Sequence, residues 1–226
     1  MNRTQTPRSL ARLAWLALLA PFALTATGCA IGTIIGGMTQ SYRESSTRTI
    51  TAEYTNLTGK NFAVLVTADR TTQADFPNLS PVLTARVSER LAEFAQVSGW
   101  IPPQDLLSYL YDNPSWVSMP PSELADELGV DRLIMMDIYE FRLNDPGNRY
   151  LWDGRAAGGL TVIEADTNLR DTPAFVREID VSFPDASGFG PGDFSAEQIA
   201  SILMSRGVER SSWLFYDHEE PYYPDY

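Results

Sequence analysis

The sequence predicts an α/β fold: a mixed β-sheet with packed helices, in the order β-α-β-α-α-β-β-β-α. Three observations carry this. The run Phe62-Ala63-Val64-Leu65-Val66-Thr67 is short, apolar and β-branched, and is bounded by Gly59 and Asp69. Such a run is a strand buried on both faces, hence central in its sheet. Leu79, Leu83, Val87, Leu91 and Phe94 recur at helical spacing and define one apolar face. Late in the chain three strand-forming stretches follow one another, the last with apolar and polar residues in alternation.

The elements follow in order. After the first strand, Asp69 to Asn78 reads as a polar loop. Ser80-Pro81 then supplies an N-cap with proline at the first helical position. That helix ends before Gly99. Trp100 and Ile101 make a short strand stopped by Pro102-Pro103, and Gln104 to Tyr111 is a short helix with Leu106, Leu107 and Leu110 inward. Pro120 to Gly129 has prolines at its start and glycine at its end, the punctuation of another helix. Val130 to Leu143 is a long strand, and Asp145-Pro146-Gly147-Asn148 a turn. Ala156 to Glu164 is the next strand, where Gly158 and Gly159 allow a bulge or a close backbone approach. In the strand Phe175 to Phe183, Phe175, Ile179, Val181 and Phe183 face the core. Glu178, Asp180 and Ser182 face water, and Arg177 interrupts the apolar row near its start. Ser195-Ala196-Glu197-Gln198 is a capping box opening a last helix that carries Ile199, Ile202 and Leu203. The first crossover is expected to be parallel and right-handed, the later strands hairpin-linked.

The amino terminus has a different organisation. Arg3, Arg8 and Arg12 precede Leu13 to Leu24, an apolar run too short to span a bilayer, and Ala26-Thr27-Gly28 leads to Cys29, the sole cysteine. This order resembles a bacterial lipoprotein signal with its lipobox. Ala26 stands where leucine is commoner in that family. The resemblance implies a diacylglyceryl group on the Cys29 sulfur, cleavage before Cys29 and acylation of the new terminus. The alternative is an ordinary secretory signal cut near Ala26, with Cys29 a free or disulfide-linked thiol. Ala30, rather than aspartate, follows the cysteine, which by analogy implies the outer membrane, facing the periplasm. The chain thus divides into a signal peptide (residues 1–28), a lipidated tether (29–58), a single α/β domain (59–213) and an aromatic, acidic tail (214–226). In the tether, Gly32 and Gly36 have the small-xxx-small spacing of helices that associate in lipid, and a flexible linker is the plainer reading. Loss of residues 1–28 removes three arginines and no acid, taking the formal charge from −12 to −15. A chain so acidic is a poor partner for nucleic acid or anionic headgroups, so the anchor is lipid rather than charge.

A second resemblance lies in the junction Leu128-Gly129-Val130-Asp131-Arg132-Leu133-Ile134, a helix stop leading into a long strand and two antiparallel strands. It is similar to a group of envelope domains that includes the TolB amino-terminal domain, the curli-secretion lipoprotein and lipoprotein activators of penicillin-binding proteins. The resemblance implies binding and assembly modules, mostly without catalysis, over roughly residues 60 to 213. From the residues themselves, Gly129 is a helix stop and Asp131 a turn or cap residue.

The chemistry-bearing residues are few. His218 is the sole histidine; within Asp217-His218-Glu219-Glu220 it lacks a second imidazole or thiolate to complete a zinc site. No Gly-x-Ser-x-Gly elbow, P-loop or Gly-x-Gly-x-x-Gly motif is present. Asp137 and Glu140 differ by an odd number, so an unbroken strand puts them on opposite faces. Asp69 and Asp75 flank the exit of the first strand, where α/β sheets often bind ligands, and otherwise read as turn and cap acids. No catalytic residue, metal or cofactor is therefore assigned. The candidate partner-binding residues are aromatic: Trp213, Phe215, Tyr216, Tyr222, Tyr223 and Tyr226 in the tail, with Tyr150 and Trp152 in the hairpin loop. The same rings could instead pack back over the core. The expected function is a non-catalytic, membrane-anchored module that binds an envelope protein or the cell wall. The alternatives are a carboxylate-based hydrolase or a subunit of a secretion or assembly complex, and the oligomeric state is open.

Overall fold

A computed structural model describes residues 47–221, which fall into two compact units. β1 (Thr47–Ile50) pairs with β7 (His218–Pro221) as a two-stranded ribbon, of which Thr47, Arg48 and Glu219–Pro221 belong to the smaller unit. Within it, Thr47 Oγ1 donates to Glu219 Oε2 at 3.3 Å and Arg48 pairs with Glu220 at 3.4 Å.

The larger unit is built on a five-stranded mixed sheet: β2 (Asn61–Ala68), β3 (Gly99–Trp100), β4 (Arg132–Arg142), β5 (Gly154–Glu164) and β6 (Phe175–Phe183), in the spatial order β3-β2-β4-β5-β6. β2 runs parallel to both neighbours, with Val64 opposite Ile134; β4, β5 and β6 form an antiparallel meander. β2 is buried on both faces, as its unbroken apolar run requires, but it lies second in the sheet, with the two-residue β3 outside it and β4 in the middle. The helices are α1 (Arg70–Asp75), α2 (Leu79–Phe94), α3 (Pro103–Asp112), α4 (Pro121–Leu128) and α5 (Ala196–Ser212), with 3-10 turns at Pro114–Ser118 and Trp213–Phe215. No described helix is long and apolar enough to cross a membrane.

The larger core lies on one sheet face. Val64, Ile134, Leu160 and Val181 meet Val87 and Leu91 of α2 and Ile199 and Leu203 of α5. The smaller core covers part of the other face, where Leu65, Leu133 and Ile163 meet Leu124 and Ala125 of α4. Toward Arg142 and Arg155 that second face carries a charged lattice instead: Glu140–Arg142 at 2.8 Å, Glu140–Arg155 at 3.2 Å and Arg155–Asp180 at 2.7 Å.

The element punctuation has identifiable causes. Gly129 ends α4 at φ +67°; its N–H bonds to Asp126 O and the Val130 N–H to Ala125 O, a Schellman stop. Val130 and Ala125 then share the smaller core. Ser195 and Gln198 close the expected capping box of α5.

Three further expectations are corrected. The polar stretch after β2 holds the short helix α1, because Asp69 Oδ1 accepts the N–H groups of Thr71 and Thr72 at 2.7 and 3.1 Å. Helix α2 begins at Leu79 rather than after Ser80, because the turn Phe76–Leu79 is already closed by backbone bonds and Asn78 O accepts from Val82. Phe94, at the end of that helix's apolar face, is 46% exposed.

Gly207 sits inside α5, beside an apolar cavity of about 20 Å³ lined also by Met136, Gly158 and Leu203. A Cβ there meets nothing within 4 Å. Gly207→Ala is expected to stabilise the protein by about 0.5–1 kcal/mol, through lower unfolded-chain entropy and better helix propensity. Urea denaturation should show a higher midpoint at unchanged slope.

Candidate functional site

The tail aromatics divide into buried and surface groups. Helix α5 runs directly into the 3-10 turn Trp213–Phe215, which swings Phe215 inward. Its ring is 3% exposed and lies edge-on to Tyr54 at 5.7 Å, so it serves the core and offers no surface. Leu214 O accepts the Tyr54 N–H at 2.9 Å, tying the entering chain to the end of α5. Trp213 points outward. Its ring stacks on His218 at 4.5 Å and 5°, and the Arg210 guanidinium lies 5.7 Å from its centroid.

Tyr216 makes the more developed surface feature. Its ring stacks on Phe94 at 5.2 Å and 29°. Its hydroxyl accepts from Arg90 Nε at 2.8 Å and lies 3.3 Å from Ser212 Oγ. The Arg90 guanidinium also sits 5.7 Å from the Phe94 centroid. Phe94 borders two grooves. One, of about 310 Å³, lies between α2 and α5 and is lined by Arg86, Glu89, Arg90, Glu93 and Glu209. The other, of about 240 Å³, is lined by Thr55, Thr58, Gln96, Tyr216 and Asp217. The arrangement is an aromatic ridge with a cation against it and a mixed-charge groove on one side, suited to docking a polar surface carrying an aromatic or aliphatic anchor.

The hairpin-loop pair is separate. Tyr150 is 85% exposed. Trp152 packs against the larger core, with its indole N–H donating to Phe194 O at 2.9 Å. Cys29, Tyr222, Tyr223 and Tyr226 lie outside the described residues.

The acids behave as structural ion-pair partners. A bulge in β4 between Ile138 and Glu140 breaks the strand's alternation. Met136, Ile138 and Phe141 all reach the larger core, so Asp137 and Glu140 share the opposite face. This corrects the opposite-face placement that an unbroken strand implied. They still form no acid/base pair: Asp137 accepts from Thr67 Oγ1 at 3.0 Å, while Glu140 is engaged by Arg142 and Arg155. Asp69 caps α1, and the Thr72 hydroxyl and N–H hold its carboxyl below the usual range. Hydrogen bonds from Lys60, Arg155 and Arg206 do the same for Asp166, Asp180 and Asp185 respectively. Asp217 Oδ1 accepts the Ala52 N–H at 2.9 Å. Among the described residues no three His, Cys, Asp or Glu side chains are grouped so as to hold a metal ion.

One cluster was not anticipated. Arg132, 4% exposed at the head of β4, donates to Asn56 O at 3.1 Å, Asp131 O at 2.8 Å and Asp166 Oδ1 at 2.5 Å. Lys60 bonds the other oxygen of Asp166 at 2.6 Å. Glu164, 3.8 Å from Arg132, accepts from the Tyr54 hydroxyl at 2.7 Å. Burial and that bond to Glu164 push the Tyr54 hydroxyl's pKa up. The legible signal was an arginine opening an otherwise apolar strand; the chain's sole lysine is its companion.

No family model matches the sequence, and no curated protein matches it. Similar solved structures include the PelC dodecamer from Paraburkholderia phytofirmans, at 10% identity over 76% of this chain and 97% of that one, TM-score 0.43. Lipoprotein GNA1162 from Neisseria meningitidis is similar at 11% identity over 67% of this chain and 97% of its own, TM-score 0.44. Protein XCC0632 from Xanthomonas campestris is similar at 8% identity over 74% and 85%, TM-score 0.45. Resemblance at this level says nothing of binding or activity.

Proposed function

We propose that this chain is a lipid-anchored protein of the bacterial envelope whose folded region binds or scaffolds a partner without catalysing a reaction. One observation carries the reading: arginines, a short apolar run, small residues and a solitary cysteine stand in the order of a lipoprotein signal, ahead of a folded, acidic region. Two or more acyl chains on Cys29, at about 0.8 kcal/mol per buried methylene, make a lasting anchor. Ala30 supports delivery to the outer membrane.

The chemistry of the folded region supports a binding role. Each described carboxylate whose proton affinity is shifted is shifted down, the direction of a capped or paired structural acid. A general acid needs the opposite shift. The exposed ridge of Phe94 and Tyr216 with Arg90, and the projecting Tyr150, are the residue types that anchor protein interfaces.

The test is the mass of the protein extracted from membranes. Expected is a chain beginning at Cys29 with acyl masses on its first residue, and a Cys29→Ala variant that leaves the membrane fraction. An unmodified Cys29 on freely dissolved wild-type protein would overturn the reading.

A further inference from the structure

Strand β6 is an edge. β5 pairs with one side of it, and no strand among the described residues pairs with the other. In an antiparallel ladder each residue turns both its N–H and its C=O either toward the partner or away from it, in alternation. Two contacts settle the parity. A Cβ on Gly154 would lie 2.7 Å from Phe183 O, so the Phe183 carbonyl is on the β5 side. The Ser182 carbonyl instead accepts from Arg206 Nη1 at 2.5 Å. Counting back by twos, Val176, Glu178 and Asp180 turn their backbone groups outward. These are three donors and three acceptors along about 14 Å of strand.

Arg206, which binds Ser182 O and pairs with Asp185, caps the window beyond Asp180, and Arg177, on the core face opposite Leu160, pairs with Glu53 at 3.1 Å. The window's side chains stand on the uncovered part of the sheet face, since Ile179 and Val181 point into the larger core. Val176 is 62% exposed and Tyr139, the residue at the β4 bulge, is 53% exposed. The other two outward positions are acids: Asp180, held by Arg155 at 2.7 Å, and Glu178, whose Oε1 lies 3.5 Å from the Tyr139 hydroxyl. A second copy of this chain is a poor occupant. Laid antiparallel across the centre of the window, it sets Glu178 against Glu178 or against Asp180, and like charges directly opposite destabilise a strand pair.

We infer that the free edge of β6 docks an extended segment of a partner protein that carries a lysine or arginine opposite Glu178, adding a sixth strand to the sheet. This deepens the binding role proposed above and rests on it. Backbone bonds from Val176, Glu178 and Asp180 supply the pairing. Glu178 selects a cationic side chain on the open face, where the exposed Val176 receives its aliphatic stem, while Asp180 keeps its pairing with Arg155.

The probe is an acetylated eight-residue Thr-Lys repeat, with a Thr-Glu repeat as control, added to the full-length chain in detergent micelles. Amide exchange is read residue by residue. With the lysine peptide the amides of Val176, Glu178 and Asp180 should slow at least tenfold, and those of Arg177 and Ile179, already bonded to β5, should change less than twofold. Glu178→Pro, which removes an outward N–H only, should abolish the effect; if its circular dichroism shows that it does not fold, Glu178→Lys serves and should weaken it at least tenfold. Equal protection by the glutamate peptide, or none at the three amides, overturns the proposal. Photo-crosslinkers at Val176 and at Tyr150 in cell membranes separate the two readings. An adduct at Val176 that maps to a basic extended segment supports the edge site. Adducts at Tyr150 alone overturn it and leave a binding role standing, and adducts at neither position count against both.

Discussion

Replacing Arg132 with alanine is expected to destabilise the larger unit by about 3–5 kcal/mol, the range for breaking a buried ion pair by deleting one partner. The guanidinium is almost wholly enclosed and holds together chain segments distant in sequence: the loop before β2 through Asn56 O, the exit of α4 through Asp131 O, and the turn after β5 through Asp166. Alanine leaves two carbonyls without that donor and two carboxylates, Glu164 and Asp166, without their shared cation. Arg132→Met keeps most of the stem, so its smaller loss separates packing from charge. The pH dependence gives a second readout. Asp166 titrates below its ordinary value, first because of its bond from Lys60 and then because of Arg132. A depressed folded pKa means a contribution fully present above the unfolded value of about 4 and lost as pH falls through the folded pKa. The wild type should therefore weaken on that descent. In Arg132→Ala the limb should be shallower, because the folded Asp166 carboxylate is then easier to protonate. Urea midpoints at pH 7 and pH 3.5 test this, and equal losses at both would assign the effect to packing.

How much of this was legible in the sequence depends on the range of the interaction. The strands β2 and β6, the amphipathic face of α2, the Gly129 stop and the Ser195–Gln198 box are local patterns, and the structure reproduces them. Helix α1 was missed because its one signal, Asp69 as a cap, has the same residue type as a turn, and Thr71 and Thr72 are poor helix formers. Phe94 was placed inward because helical periodicity says nothing about where the packed surface stops. The Arg132 cluster gathers Tyr54 and Lys60 from one distant stretch and Glu164 and Asp166 from another, so no spacing rule could find it. The aromatic tail shows the same limit within three residues. Trp213 and Phe215 look alike in sequence, yet the 3-10 turn that begins where α5 ends sends one outward and the other into the core.

The β4 bulge is the instructive intermediate case, and it sets the second large effect. Its signal lay across the ladder in β5, where Gly158 faces Ile138 and Gly159 faces Asp137. A Cβ on Gly158 would come 2.7 Å from Asp137 O, 2.9 Å from Ile138 Cδ1 and 3.3 Å from Ile138 Cα. Two of those atoms are backbone, so the contact cannot be relieved by a rotamer change. Gly158→Ala is expected to destabilise by about 2–3 kcal/mol, at the upper end for overpacking a buried site, although an apolar cavity adjoins it. The neighbouring space does not help, because the new methyl meets the β4 backbone before it reaches the void. Ile138→Val removes the Cδ1 contact only, so the double variant should recover a minor part of the loss, about a third. The β4 residues flanking the bulge should exchange their amides faster, since the bulge must shift to admit the methyl. If Gly158→Ala melts within a degree of wild type, β4 is more pliant at Asp137 than this close approach allows. The shared-face placement of Asp137 and Glu140, which depends on that bulge, would then have to be revisited.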